Sequence, residues 1–178
     1  MLRKALLVLA LLVLLLAGGG IAVARSTPSL SAGGPTSVTG TEASAVFRVG
    51  DRTIRQVRYD DDGTLRYTFE VANDGRLPVT VVGLADDQAD ARLFTLTGLT
   101  DGTISPGGSE EFTLSLHMAG CETLSARAGS FVQQVEVRTE TAGMFGDTVT
   151  LDLPEELHTG SPREAFCPNS TATSRPPG

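Results

Sequence analysis

Short segments in which apolar and polar residues alternate are the dominant pattern of the chain. The clearest spans residues 64–71, where Leu, Tyr, Phe and Val alternate with Thr, Arg, Thr and Glu. Alternation of period two places every second side chain on one face of an extended strand, so each such segment predicts a strand with one buried face. Six further segments predict strands of varying strength, at residues 53–59, 79–84, 93–96, 110–118, 131–139 and 148–153.

Turn-forming residues separate these segments. Glycine occurs together with Asp, Asn, Pro or Met in the reversals at residues 60–63, 73–75, 105–108 and 143–147. It supplies the positive φ angles that tight turns require. About seven short strands joined in this way predict an all-β antiparallel sandwich. The acidic reversal at 60–63 lacks the ligand spacing of a calcium loop, so it is interpreted as a hairpin turn.

Two of these segments resemble parts of the immunoglobulin-like or fibronectin-III-like modules of bacterial surface proteins. They are residues 67–75, leading to 78–81, and residues 104–114. The first resembles a strand that leaves through an Asn-x-Gly turn, and the second a Pro-Gly turn that enters the next central strand. The resemblance covers roughly residues 45–155 and implies an immunoglobulin-like sandwich of about seven strands, without implying an active site.

The first 24 residues predict an export signal. Arg3 and Lys4 precede a run of mostly Leu and Val, and small residues follow at 22–24. This order is typical of a signal peptide cleaved before Arg25. The uncharged stretch 5–24 is also just long enough to remain as a transmembrane signal-anchor helix. Both interpretations place the later residues outside the cytoplasm, either secreted or anchored in the cell membrane by the N-terminal segment.

The remaining chain divides by composition. Residues 25–44 are rich in Ser, Thr, Gly and Pro and predict a flexible linker. Residues 45–168 are predicted to form the sandwich with its C-terminal tail, and 169–178 a disordered tail.

Charge and motifs narrow the function. The net charge of the chain is −7, and it becomes −9 if residues 1–24 are removed with their two basic residues. The later basic residues are scattered arginines, a distribution that disfavours nucleic acid and anionic lipid as partners. The chain has no Gly-x-Ser-x-Gly motif, and its two histidines have no recognisable catalytic partners. We therefore expect neither enzymatic activity nor a cofactor.

The two cysteines, Cys121 and Cys167, predict a disulfide, because an exported chain meets an oxidising compartment. If successive strands alternate in direction, both cysteines follow strands that end at the same end of the sandwich. Their bridge would close a loop of about 45 residues and stabilise the domain by roughly 3 to 4 kcal/mol in the chain-entropy description.

An exported copper-binding protein is the alternative function. His117, Met118 and Cys121 are close in sequence, and imidazole and sulfur are ligands that copper prefers. Strand alternation, however, places His117 on the polar side and Met118 on the apolar side of one strand. No metal site is therefore assigned.

Met144 and Phe145 are the candidate partner contacts, because apolar residues at the middle of a reversal are typical of contact loops. The alternative is that Phe145 folds back as a cap on the core. Alternating strands place this loop at the same end of the sandwich as residues 73–75.

The sequence as a whole predicts a non-catalytic extracytoplasmic domain of a bacterial envelope, with a structural or protein-interaction role. Its expected partner is another envelope or extracellular protein.

Overall fold

The computed structural model of the protein describes residues 28–41, 43–58, 62–88, 94–118 and 130–159, together with the single positions Leu9, Leu11 and Val13. Across the five ranges the regular secondary structure is all strand. The ten strands are β1 (Leu30–Thr39), β2 (Ala43–Val49), β3 (Arg52–Arg58), β4 (Thr64–Asn73), β5 (Val79–Leu84), β6 (Phe94–Leu99), β7 (Gly102–Ile104), β8 (Ser109–Met118), β9 (Ser130–Thr141) and β10 (Phe145–Thr159).

Three sequence predictions fall largely outside this part of the chain. They are the signal or anchor segment, the disulfide between Cys121 and Cys167, and the tail 169–178. No helix among the described residues is long and apolar enough to cross a membrane.

The strands form two sheets. The four-stranded sheet has the order β1-β4-β8-β6, and the six-stranded sheet has the order β2-β3-β10-β9-β5-β7. All neighbours are antiparallel except β3 and β10, which are parallel. The all-β prediction is confirmed, with ten strands where about seven were expected. At this coarse level the sandwich is compatible with an immunoglobulin-like fold.

The core lies between the two sheets, and β4 and β8 contribute most of its large side chains. Phe69 is directly opposite Phe112 in this strand pair, and its ring stacks on that of Tyr67 at a centroid distance of 5.4 Å. Burial of a large apolar side chain contributes about 1.5 to 3 kcal/mol, so this strand pair supplies much of the stability. The fully buried hydrophobic residues on the two strands are Leu65, Tyr67, Phe69, Val71, Phe112, Leu114, Leu116 and Met118.

Asn73, at the end of β4, anchors the crossing from one sheet to the other. Its side chain is completely buried. The amide nitrogen donates to the carbonyl oxygens of Leu77 at 2.8 Å and Ile104 at 3.1 Å, and Oδ1 accepts from the backbone N–H of Gly75 at 2.9 Å. An asparagine side chain that makes hydrogen bonds with the backbone groups of the turn it begins commonly stabilises a chain reversal. The predicted Asn-x-Gly turn is therefore present.

The segment predicted as a flexible linker contains a strand. β1 lies inside residues 25–44 and pairs with β4, with a register shift between Gly33 and Ser37. Its many glycine and hydroxyl residues gave no alternating pattern, yet its backbone groups are satisfied by β4 and its few apolar side chains pack on the core. The linker prediction is thus wrong for residues 30–39.

Three boundaries and connections also differ from the predictions. The acidic segment 60–63 does not close a hairpin, because β3 and β4 belong to different sheets. The predicted turn at 143–147 lies at 142–144, where Ala142 and Gly143 have φ angles of 52° and 67°. Finally, β10 continues through Pro154 to Thr159, beyond the predicted strand 148–153.

Replacing Asn73 by Ala is expected to lower the free energy of unfolding by about 3 kcal/mol, because three hydrogen bonds are lost. The buried carbonyl of Ile104 and the part-buried carbonyl of Leu77 each lose a partner. Urea unfolding measures this cost. Thr103→Ala, which removes an exposed hydroxyl pair with Thr80, is the control and should cost less than about 1 kcal/mol. An equally small cost for Asn73→Ala would contradict the anchoring role.

Candidate interaction surface

β3 is joined to the rest of the sandwich by a short parallel ladder. Residues 54–57 of β3 pair with residues 156–159 of β10. On the inner side of this ladder, Arg55 donates to both carboxylate oxygens of Glu155, at 2.5 and 3.1 Å. Thr36 of β1 joins them, donating to Glu155 at 2.9 Å and accepting from Arg55 at 3.0 Å. This buried cluster therefore links an edge of one sheet to the other sheet.

Tyr67 contributes to the electrostatics of the same region. Its hydroxyl is buried and has no hydrogen-bond partner within the described part of the chain. Burial, followed by the negative charge of Glu155, raises the pKa of Tyr67 well above its usual range. Its phenol therefore stays neutral.

A second ion pair covers the outer side of the ladder. Arg52 makes a bidentate contact with the carboxylate of Glu156, and His158 Nε2 lies 3.0 Å from the same group. The hydrogen bonds from Arg52 and His158 lower the pKa of Glu156 from its ordinary 4.5 to about 2. Successive glutamates of β10 are thus held on opposite faces by two arginines of β3.

β2 is the outermost strand of the six-stranded sheet, and all seven of its residues are exposed. Val46, Phe47 and Val49 are 48, 46 and 56% exposed. The register with β3 is continuous over the whole strand, so one edge of β2 is satisfied by β3. No strand of the described part of the chain pairs with its other edge. We call this strand, with its unpaired edge, the β2 edge.

The other three edge strands of the described sheets carry features that discourage pairing. β1 is interrupted by a register shift around Pro35, which has no backbone N–H to donate. β6 has a register shift between Leu96 and Gly98, and β7 is only three residues long. Bulges, proline, short length and charged side chains are among the devices by which proteins protect sheet edges. β2 has none of the first three, and Arg48 is its one charged residue.

The outer face of the six-stranded sheet extends the apolar character of the β2 edge inward. Phe47 lies opposite Ile54 on β3, and Ala45 lies opposite Gln56, which pairs with His158 of β10. His158 in turn stacks on Phe131, whose side chain is 56% exposed, at a centroid distance of 5.4 Å. Exposed apolar residues grouped in this way mark contact surfaces more often than scattered ones do.

The two residues predicted as loop contacts, Met144 and Phe145, differ in their exposure. Met144 is 75% exposed at the turn between β9 and β10, while Phe145 is half-buried and begins β10. The turn lies at the same end of the sandwich as residues 73–75, as expected, because Ala142 donates to the carbonyl of Pro78 at 2.9 Å. Their role as partner contacts remains a prediction.

Two of the residues considered for copper, His117 and Met118, point apart, and the third, Cys121, lies outside the described residues. Met118 is completely buried in the core, and His117 is half-buried on the opposite face, 3.1 Å from Asp62. Alternation along β8 predicted this arrangement. Among the described residues no three or more His, Cys, Asp or Glu side chains are grouped so that they could hold a metal ion.

No protein-family model and no curated protein matches the chain. The geometry of the described residues is therefore the basis for assigning a function.

The depressed pKa of Glu156 predicts an acid-sensitive contribution to stability. A carboxyl whose pKa falls from 4.5 to about 2 on folding stabilises the protein fully above pH 4.5, and this contribution is lost as the pH falls towards 2. Glu156→Gln should therefore lower the urea midpoint at pH 6 and flatten its decline between pH 4.5 and 2. Glu140→Gln makes the same charge change at an exposed position of β9. An identical pH profile for the two variants would contradict the pairing.

Proposed function

We propose that this chain is an exported, non-catalytic domain that binds a protein partner through the β2 edge. The observation that carries this proposal is the exposure of Val46, Phe47 and Val49 on an unprotected edge strand. An extended segment that adds to such an edge gains main-chain hydrogen bonds, and alternate side chains determine which segment fits. A domain without a binding role has no physical need to leave this edge open, because open edges promote aggregation.

We also propose that the sandwich is immunoglobulin-like in its finer topology. Constant-type immunoglobulin domains have the strand orders A-B-E-D and C-F-G. The orders β1-β4-β8-β6 and β5-β9-β10 correspond to these if the strands are read in chain order. On this assignment β2 is an addition beyond the standard strands, which supports a role for it outside the core fold.

An extracytoplasmic location is part of the proposal. It is supported by the basic residues, apolar run and small residues of segment 1–24. The net charge of −7 favours a protein partner over nucleic acid or an anionic membrane surface. Met144 is a second, separate candidate contact because it is the most exposed large apolar side chain of the described residues.

The proposed function predicts position-specific crosslinking in the envelope of the producing cells. A photoreactive phenylalanine analogue at position 47 should give a discrete protein adduct, because this side chain lies on the β2 edge. The same analogue at Thr95, an exposed position on the protected strand β6, is the matched control. Placement at Met144 tests the loop separately.

The adducts are analysed by mass. A discrete adduct at position 47 with none at position 95 would support binding at the β2 edge. Equal or absent labelling at positions 47 and 95 would contradict it, whatever position 144 shows.

A further inference from the structure

We infer that the occupant of the β2 edge is the β2 edge of a second copy of this chain, paired antiparallel about a two-fold axis. The inference rests on the proposed function and names its partner. Two such strands would join two six-stranded sheets into one continuous sheet of twelve strands. The pairing closes after two copies, because a two-fold contact uses the same surface on both partners.

The strand is self-complementary when the axis passes through Val46. Val46 then faces its own counterpart, Ala45 faces Phe47, and Ala43 faces Val49 of the second copy. In the last two pairs a large side chain lies opposite a small one. The structure has a shallow depression lined by residues 43–45 and 56–58 at the small-residue end of the strand, and the second copy's Phe47 and Val49 would lie over it. Paired large and small side chains of this kind let facing strands pack closely.

The charges allow the same register. Arg48 is the one charged residue of β2, and in this arrangement it faces Ser44 rather than another arginine. Like charges directly opposite each other destabilise a strand pair, and none are placed so here. Two of the three arginines of β3, Arg52 and Arg55, are engaged by Glu156 and Glu155 of their own chain. The third, Arg58, lies opposite Ala43 on β3, so β2 separates it from the second copy's strand.

The faces of the strand fit the pairing as well. A two-fold axis perpendicular to the sheet keeps the outer face of one copy continuous with the outer face of the other. The cross-strand partners on β3 show that Ala43, Ala45, Phe47 and Val49 share the outer face. Pairing would thus bring four apolar residues from each copy together on that face, next to Ile54. The gain is the removal of this apolar surface from water, together with the main-chain bonds of the unpaired edge.

The test is the oligomeric state of the exported protein, measured by sedimentation equilibrium at several concentrations. The wild type should form a dimer. Ala45→Glu and Phe47→Lys should each raise the dimer dissociation constant at least tenfold, because each places a charge opposite an apolar residue of the second copy. In the double variant the new carboxylate at position 45 faces the new ammonium group at position 47 of the other copy. Dimerisation should therefore recover to within about threefold of the wild type.

The control variant is Thr95→Lys on β6, which should leave the dissociation constant unchanged. A wild type that remains monomeric, or a dimer that neither single variant weakens, would overturn the inference. A dimer weakened by both single variants and not restored by the double variant would overturn the register centred on Val46.

The failure of this inference is distinguishable from the failure of the proposed function. If position 47 crosslinks to a polypeptide of another mass, the β2 edge binds a different protein and self-pairing is wrong. If position 47 gives no specific adduct, the proposed function fails as well. An adduct with twice the mass of the chain, whose digestion yields a crosslinked pair of peptides with one from each copy, would support both the proposed function and self-pairing.

Discussion

The junction between β3 and the end of β10 determines how the β2 edge is presented. Among the described strands β2 pairs only with β3, and β3 is joined to the sandwich by four parallel residue pairs with β10. The side chains of Glu155 and Glu156 extend from opposite faces of β10. Glu155 forms an ion pair with Arg55, and Glu156 forms one with Arg52. The two ion pairs therefore fix the strand from both faces, and Thr36 ties the inner one to the other sheet.

The inner ion pair contributes specificity more than net stability. Removing two charges from water costs several kcal/mol, and a buried pair often does no better than apolar residues of similar size. Loss of a single partner, however, leaves an uncompensated buried charge and costs about 3 to 5 kcal/mol. A one-residue slip of β3 would move Arg55 to the outer face and leave Glu155 unpaired inside. The pair thus fixes the register of a ladder that has only four residue pairs to define it.

The parts of the fold that the sequence predicts are those in which one face of a strand is buried. The alternation of residues 64–71 became β4, because every second side chain there fills the core. β1 and β2 were missed for different reasons. β1 has too few apolar residues to show a period. In β2 the apolar residues 43, 45, 47 and 49 do alternate, but two of them are alanines, and Val46, which lies between them on the other face, obscures the pattern.

The candidate interaction surface could likewise be predicted from the sequence only where it depends on local features. The exposure of Met144 follows from its place in a turn, which local sequence reveals. The β2 edge depends on which strands become neighbours, and that is decided by long-range pairing. The end of β10 is likewise not visible in the local sequence, because Pro154 cannot donate a ladder hydrogen bond and the alternation of residues 148–153 stops there. Its pairing with β3 places Glu155 against Arg55, 100 residues away in the chain, and no local pattern records that contact.

The most direct test of this account is native-state hydrogen exchange of the backbone amides in the wild type and in Glu155→Gln. If the Arg55–Glu155 pair holds the β2–β3 hairpin on the sandwich, the substitution should lower the protection of the paired amides of β2 and β3 about 100-fold, which corresponds to about 3 kcal/mol. The amides of β4 and β8 should lose much less. Uniform loss of protection over all strands, or unchanged protection in β2 and β3, would contradict the account.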